Sequence, residues 1–159
     1  MHAITIPQPY ASLVVVGAKR FLTLDWKTDY RGPVALHAGN HELPFFDDID
    51  IRKALCRAFE DSSPISSIYG YMNELLRGEV IATAELLECR RITGVSGPLG
   101  DRRAIVLENS VGDWISEDEF LLGNWVPGLY AWEFSNVKRL PRPAPAAGAA
   151  GLWVWSFDA

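Results

Sequence analysis

The chain has 159 residues, which is a natural length for one domain and too short for two ordinary ones. Hydrophobic residues make up 48% of it, so a core can form and disorder over most of the length is excluded. The formal charge of -5 argues against a strongly basic surface for duplex DNA, although it leaves room for a local positive groove.

The first forty residues predict a strand, a short helix and two more strands. The predicted ranges are strand 2–6, helix 8–18, strand 20–26 and strand 33–38. Pro7 and Pro9 end the first strand because a proline ring donates no hydrogen bond to a sheet, and both suit the first turn of a helix. Gly17 marks the end of that helix.

Residues 42–76 change character and predict a helical insert between strands. Three acidic residues, Asp47, Asp48 and Asp50, precede an apolar stripe at helical spacing, and the helix dipole favours acids at this end. A second amphipathic helix is predicted over 66–76. Together the two helices interrupt the run of strands.

The second half of the chain again predicts short strands. The predicted ranges are strand 79–89, loop 94–100, acidic coil into a short helix over 108–119, strand 129–134, an extended proline-rich segment over 141–145 and strand 151–157. Many short strands with two or three helices are typical of a small mixed β-barrel. We therefore predict one mixed α+β domain over 1–159, a small β-barrel with flanking helices.

The cysteines and histidines are too few for structural cross-links. Cys56 and Cys89 cannot form a disulfide framework, and neither they nor the three histidines have the spacing of metal ligands. We expect no metal and no cofactor. The N-terminus lacks the basic start of a signal peptide, and no apolar run reaches membrane-spanning length, so we expect a cytoplasmic protein with no membrane partner.

Six sequence blocks occur in the order typical of a known family. The blocks are Gln8-Pro-Tyr-Ala-Ser-Leu, Gly17-Ala-Lys19, Trp26-Lys-Thr-Asp-Tyr-Arg-Gly-Pro33 with Leu36-His-Ala38, Arg77-Gly-Glu-Val-Ile-Ala-Thr-Ala-Glu-Leu, Pro127-Gly-Leu-Tyr-Ala-Trp-Glu133 and Gly151-Leu-Trp-Val-Trp155. In this order they resemble an ASCH domain over nearly the whole chain, except the insert and the loop around 92–116. The resemblance implies a PUA-like fold, with a groove at the barrel mouth associated with RNA or nucleoside recognition.

The resemblance also implies candidate catalytic residues. A bacterial branch similar to this domain hydrolyses N4-acetylated cytidine with a lysine, a threonine and a glutamate, and ribonuclease activity is attributed to some members. The lysine corresponds to Lys19, and the glutamate corresponds to Glu117 or Glu119. The threonine position falls on Leu22, which has no hydroxyl, and an arginine common in the family becomes Leu24. These departures weaken the amidase interpretation most.

Lys19 has three interpretations from the sequence. As a general base it would need a pKa well below the ordinary value of about 10.4. As a contact to a phosphate or carbonyl it needs only to keep its charge at the groove. As a surface lysine it would bond to the last carbonyls of the preceding helix.

The other candidate ligand contacts are aromatic, basic or amide side chains. The full predicted set is Gln8, Lys19, Lys27, Tyr30, Arg31 and His37. Residues 17–33 carry four basic side chains against two acidic ones, a local positive patch in an acidic protein. Gln8 could read a base edge or cap the first helix. His37 lies in an apolar strand, where a buried structural histidine and a ligand contact are both open.

Three functions follow from these patterns. The first is a PUA-like module that binds single-stranded RNA or a modified nucleotide in a groove beside the first helix. The second is a small hydrolase, either an N4-acetylcytidine amidohydrolase or a ribonuclease, with Lys19 and Glu117 as its catalytic residues. The third is a protein-interaction domain that uses the insert over 42–76. The sequence leaves the oligomeric state open.

Overall fold

The structure is a computed structural model that describes residues 1–59, 68–110 and 112–156. Its strands are β1 His2–Ile6, β2 Phe21–Leu24, β3 Gly32–Ala38, β4 Glu79–Val95, β5 Arg102–Leu107, β6 Asp113–Ser116, β7 Tyr130–Pro145 and β8 Leu152–Val154. Its helices are α1 Tyr10–Val15, α2 Ile49–Ala58, α3 Ile68–Asn73 and α4 Glu117–Leu121. None of the helices within these ranges is long and apolar enough to cross a bilayer.

The strands form one curled, half-barrel sheet in the order β2-β7-β4-β3-β1-β8. β1 runs parallel to β3, and the other neighbouring pairs on this path are antiparallel. The ladder between β4 and β7 shifts register three times, and each such irregularity bends the strands and increases their twist. The prediction of a mixed α+β fold dominated by a curled β-sheet is confirmed.

The stretch predicted as loop and acidic coil holds more strand than expected, because β4 runs past residue 89 and β6 occupies part of the predicted coil, while the short helix predicted there is present as α4. β4 continues to Val95, and β5 and β6 form an antiparallel hairpin against it. The hairpin forms because Ile105 and Ile115 are buried against Phe21 and Trp125, which lie far away in the chain. Charged residues flank both short strands, so their local pattern is weak.

The proline-rich segment is also strand, and its place in the sheet explains why. β2 pairs with β7 only from Tyr130 to Glu133. Beyond that point β7 pairs with β4 on one side, and its other side is an edge. Pro141 and Pro143 are tolerated there because the missing N–H of proline removes no ladder hydrogen bond at an edge.

The core lies on both faces of the sheet and under the helices. One face buries Leu36 and Trp132, and the other buries Ala35 and Trp155. The helices form a third cluster, in which residues of all four helices pack together: Leu13, Leu55, Met72 and Leu122 among them. Both helices predicted for the insert are present as α2 and α3, although the predicted start of the second lies outside the described residues.

Candidate functional site

A cavity of about 480 Å³ lies beside the start of α1, and we call it the Lys19 cavity. Its walls are mostly apolar and come from β2, α2 and the turn that follows α4. Four lining residues carry polar side chains: Tyr10, Lys19, Thr23 and Asn124. A mostly apolar cleft of this size with a few polar groups is typical of small-molecule sites.

The turn after α1 directs Lys19 toward this cavity. Gly17, two residues after the end of α1, adopts a φ of +83°, which a glycine reaches without steric cost. The backbone N–H groups of Ala18 and Lys19 both donate to the carbonyl of Leu13. These bonds satisfy the Leu13 carbonyl near the helix end and fix the direction in which Lys19 leaves the turn.

The ammonium of Lys19 is buried, with 3% of the residue exposed. Its Nζ donates a hydrogen bond of 2.7 Å to the carbonyl of Leu122, the residue that ends α4. Burial lowers the pKa of Lys19 to about 8, and the nearby charge of Glu119 partly opposes that shift. A lysine ammonium has three donors, and this bond is the one that the described residues accept from it.

Glu119 is the carboxylate that acts on Lys19. It lies in the first turn of α4, and the hydroxyl of Ser116 caps that turn by accepting from the Glu119 N–H. Its Oε1 accepts from the backbone N–H groups of Arg20 and Phe21, at 2.8 and 2.9 Å. Burial raises the pKa of Glu119, while these hydrogen bonds and the charge of Lys19 act in the opposite direction.

Glu117, named from the sequence as the catalytic glutamate, lies elsewhere. Its carboxylate forms a two-point ion pair with Arg103, with bonds of 2.7 and 3.0 Å. It does not line the Lys19 cavity. Of the two glutamates that the sequence left open, the structure therefore brings Glu119 to Lys19 and engages Glu117 with the hairpin strand β5.

Thr23 lines the Lys19 cavity together with Leu22 and Leu24. Strand alternation predicts that Thr23 faces away from Leu22, yet residues on both sides of this short edge strand line the cavity. The Thr23 hydroxyl accepts a hydrogen bond of 2.7 Å from the backbone N–H of Asn124. A hydroxyl and an amine thus line one cavity even though the expected threonine position is a leucine.

Gln8 is used within the fold. It is fully buried, and its amide donates to Ser12 Oγ and to the carbonyl of Leu76, both at 2.8 Å. Its Oε1 accepts from the Ser12 N–H. These bonds match the capping alternative and link α1 to the segment after α3, so Gln8 does not line the Lys19 cavity.

The loop between β2 and β3 carries the other predicted contacts away from Lys19. The Tyr30 hydroxyl donates to the carbonyl of Pro33 at 2.6 Å. Arg31 donates to the carbonyls of Tyr30 and Cys89 and pairs with Glu88. Neither these two side chains nor Lys27 lines the Lys19 cavity, so the structure does not join them to it.

A second cavity, of about 650 Å³, adjoins the first, and we call it the His37 cavity. The two share Pro7 and Leu24 as lining residues. His37 is 1% exposed, and its Nε2 lies 2.8 Å from the carbonyl of Ala146. His37 therefore lies beside a cavity that adjoins the Lys19 cavity. Its Nε2 is used within the fold, so any contact to a ligand would be made by Nδ1.

No family model matches the chain, and no curated protein matches it. Any proposal about function therefore rests on the two cavities. Over the ranges that the structure describes, no three histidine, cysteine, aspartate or glutamate side chains lie together as a metal-binding group.

Sequence reasoning missed Gly123 and Asn124, which follow α4. A Cβ atom on Gly123 would lie 3.1 Å from Lys19 Nζ and 2.7 Å from Trp125 Nε1, so a glycine lets the chain pass close to both. The only local signal was the Gly-Asn pair, which marks a turn without indicating what the turn contacts.

Proposed function

We propose that this chain is an ASCH-type, PUA-like domain that binds a modified nucleoside or nucleotide, free or within single-stranded RNA, in the Lys19 cavity. The observation that supports this is a buried ammonium with donors to spare at the wall of an apolar cavity. A phosphate, carbonyl or acyl oxygen would accept from Lys19, and a flat heterocycle would pack against the apolar walls. A cytoplasmic location, expected from the sequence, is part of the proposal.

The charges around the cavity favour a single nucleotide unit over a long RNA strand. Arg20 pairs with Asp113 at 3.0 Å and also approaches Glu133. Arg31 pairs with Glu88. Of the four basic side chains in residues 17–33, Lys19 lines the cavity. A ligand there would therefore contact one positive charge.

Calorimetric titration tests the proposal with cytidine monophosphate, N4-acetylcytidine and a short single-stranded RNA. We expect Lys19→Met to weaken binding by about tenfold or more, because one charge-assisted hydrogen bond is lost from a buried site. Lys27→Met, which changes a lysine outside the cavity, should leave affinity unchanged. Equal affinity of wild type and Lys19→Met, or no binding of any of the three probes, would refute the proposal.

A second candidate function is hydrolysis of an N-acylated nucleoside. It is favoured by one observation, that Lys19, with a pKa of about 8, and the Thr23 hydroxyl line the same cavity. Neutral Lys19 would take a proton from Thr23 or from a water molecule, whose oxygen attacks the acyl carbonyl. The C–N bond then breaks, and the protonated Lys19 returns the proton to the amine that leaves. Attack by water releases the carboxylic acid directly, whereas attack by Thr23 leaves an acyl ester on its hydroxyl that a water molecule then hydrolyses.

Chromatography of N4-acetylcytidine incubated with the protein tests this second function. We expect cytidine release to rise with pH through about 8, as Lys19 loses its proton, and to be absent in Lys19→Met. Thr23→Val separates the two nucleophiles, since it stops turnover only if Thr23 attacks. Turnover no greater than that of Lys19→Met would exclude the amidase, and intact labelled RNA in the same assay would exclude the ribonuclease.

A further inference from the structure

The His37 cavity contains a buried hydrogen-bond acceptor that the fold leaves unused. Within the described residues, His37 Nδ1 has no hydrogen-bond partner and is shielded from solvent. The other ring nitrogen, Nε2, lies 2.8 Å from the Ala146 carbonyl, and a carbonyl can only accept. Nε2 therefore carries the proton, and in the neutral ring Nδ1 presents a lone pair. A buried polar atom without a partner is unusual enough in a folded protein to indicate a missing one.

A hydroxyl donor lies next to that acceptor. Thr5 Oγ1 accepts a hydrogen bond of 3.0 Å from Trp153 Nε1, and its own proton has no acceptor among the described residues. A Cβ atom built on Gly148 would lie 2.9 Å from His37 Nδ1 and 2.8 Å from Thr5 Oγ1. That point lies one bond from the Gly148 Cα, so a single ligand could reach both polar atoms once residue 148 moves aside.

Residues 147–151 cover His37 Nδ1 and Thr5 Oγ1, and few interactions hold this segment in place. Residues 147–151 contain only alanine and glycine, and they line the cavity. Ala146 and Trp155, on either side, donate backbone hydrogen bonds to other backbone groups, whereas residues 147–151 form none within the described structure. A small shift of this segment would open His37 Nδ1 at the cost of few contacts, because the segment has no large side chains packed into the core.

We propose that the His37 cavity is a second ligand site, separate from the Lys19 cavity, for a planar heterocycle with a lactam edge. In a lactam an N–H lies beside a C=O, which matches one acceptor beside one donor. The ligand N–H donates to His37 Nδ1, the ligand carbonyl accepts from the Thr5 hydroxyl, and Trp26, which lines the cavity, provides aromatic surface for the ring. This goes beyond the proposed function, because neither Lys19 nor its cavity takes part.

Uridine and 3-methyluridine are the probes, since uridine carries one ring N–H flanked by carbonyls and 3-methyluridine has a methyl group in place of that hydrogen. We expect uridine to shift the amide resonances of residues 147–151 in ¹⁵N-correlated NMR spectra. We expect 3-methyluridine to bind about tenfold more weakly or not at all, because His37 Nδ1 then stays unpaired. This comparison uses the unmodified protein, so it does not depend on how a variant folds.

Two glycine variants provide the matched test in the protein. Gly148→Ala places a methyl group between His37 and Thr5 and should abolish the uridine shifts. Gly100→Ala lies outside the cavity and also has a positive φ, +66° against +74°, and its Cβ meets no atom within 4 Å. It carries the same backbone strain without filling the site, so it should bind uridine as wild type does.

The outcomes separate this site from the Lys19 site. Equal affinity for uridine and 3-methyluridine, uridine shifts confined to residues of the Lys19 cavity, or no uridine binding would each overturn the lactam site. The last result would leave the Lys19 proposal standing if N4-acetylcytidine or cytidine monophosphate still binds there. Lactam-dependent binding that survives Lys19→Met and fails in Gly148→Ala would establish the second site on its own.

Discussion

Lys19 and Glu119 hold the same two segments together from opposite sides. The Glu119 carboxylate on α4 accepts from the backbone N–H groups of Arg20 and Phe21, where β2 begins. Lys19 directly precedes Arg20, and its ammonium donates to the backbone carbonyl of Leu122 at the end of α4. Each buried charge is thus bonded to the backbone of the other's segment, and the position of Lys19 in its cavity depends on α4.

We expect Glu119→Ala to lower the free energy of unfolding by about 2 to 4 kcal/mol, because it leaves two backbone N–H groups without their charged acceptor. Urea denaturation followed by circular dichroism measures the change. Glu117→Ala is the control, since it removes a partly exposed ion pair to Arg103 that solvent screens, and it should cost clearly less than Glu119→Ala. Similar losses in the two variants would contradict the role given to Glu119.

The pKa of Lys19 predicts how stability changes at alkaline pH. Burial lowers it from 10.5 to about 8, so between those values the unfolded chain binds more protons than the folded one. Stability contributed by Lys19 therefore rises with pH across this window, is full above 10.5, and is lost as pH falls through about 8. Relative to Lys19→Met, wild type should gain up to about 3 kcal/mol from pH 7 to pH 10.5.

Urea denaturation of both proteins at several pH values checks this, and the difference between them is the quantity to plot. Taking the difference cancels the titration of surface groups that the two proteins share. A difference that stays flat would show that the Lys19 ammonium is solvated in the folded state, and one that falls with rising pH would show that the charge of Glu119 outweighs burial.

Elements with strong local patterns were predictable from the sequence. Alternation over 79–89 predicts the first part of β4, and the acids before α2 predict its start, where the Asp48 carboxylate accepts from the N–H groups of Asp50 and Ile51. The hairpin of β5 and β6 was not predictable, because Ile105 and Ile115 are buried by residues distant in sequence. Local patterns do not record such contacts.

The candidate site also has one part that the sequence predicts and another part that depends on distant contacts. Lys19 was identified through sequence blocks near it, but its burial depends on Leu122, which is 103 positions away. The pattern Ser116-x-x-Glu119 was available as a helix-start signal. That signal predicts a carboxylate bonded back to its own helix, whereas Glu119 bonds to the start of β2. The partner of a polar side chain is set by the tertiary fold.

We expect the substitution Gly123→Ala to lower both stability and ligand affinity. An alanine there would place its Cβ 2.7 Å from Trp125 Nε1 and 3.1 Å from Lys19 Nζ, so one of these groups must move. We expect a loss of about 1 to 3 kcal/mol in the free energy of unfolding, as for other overpacked sites, and weaker binding in the Lys19 cavity. Thermal unfolding and calorimetric titration measure the two effects.

Gly97→Ala is the matched control for Gly123→Ala. Its Cβ would meet no atom within 4 Å, so its stability should stay within about 0.5 kcal/mol of wild type. Unchanged stability and ligand affinity in Gly123→Ala would mean that Lys19 and Trp125 adjust freely, and that the close approach has no functional consequence.

Ion pairs around the Lys19 cavity set the expected salt dependence of RNA binding. Arg20 and Arg31 are already paired with carboxylates, which leaves Lys19 as the cation that meets a phosphate. Each phosphate contact on a single strand contributes about -0.7 to the slope of log affinity against log salt concentration, so we expect a slope near -0.7. Fluorescence anisotropy with a short labelled RNA, between about 50 and 400 mM salt, measures it. A slope of about -2 or steeper would mean that a ligand displaces these ion pairs or also contacts Lys27, and that a longer strand binds.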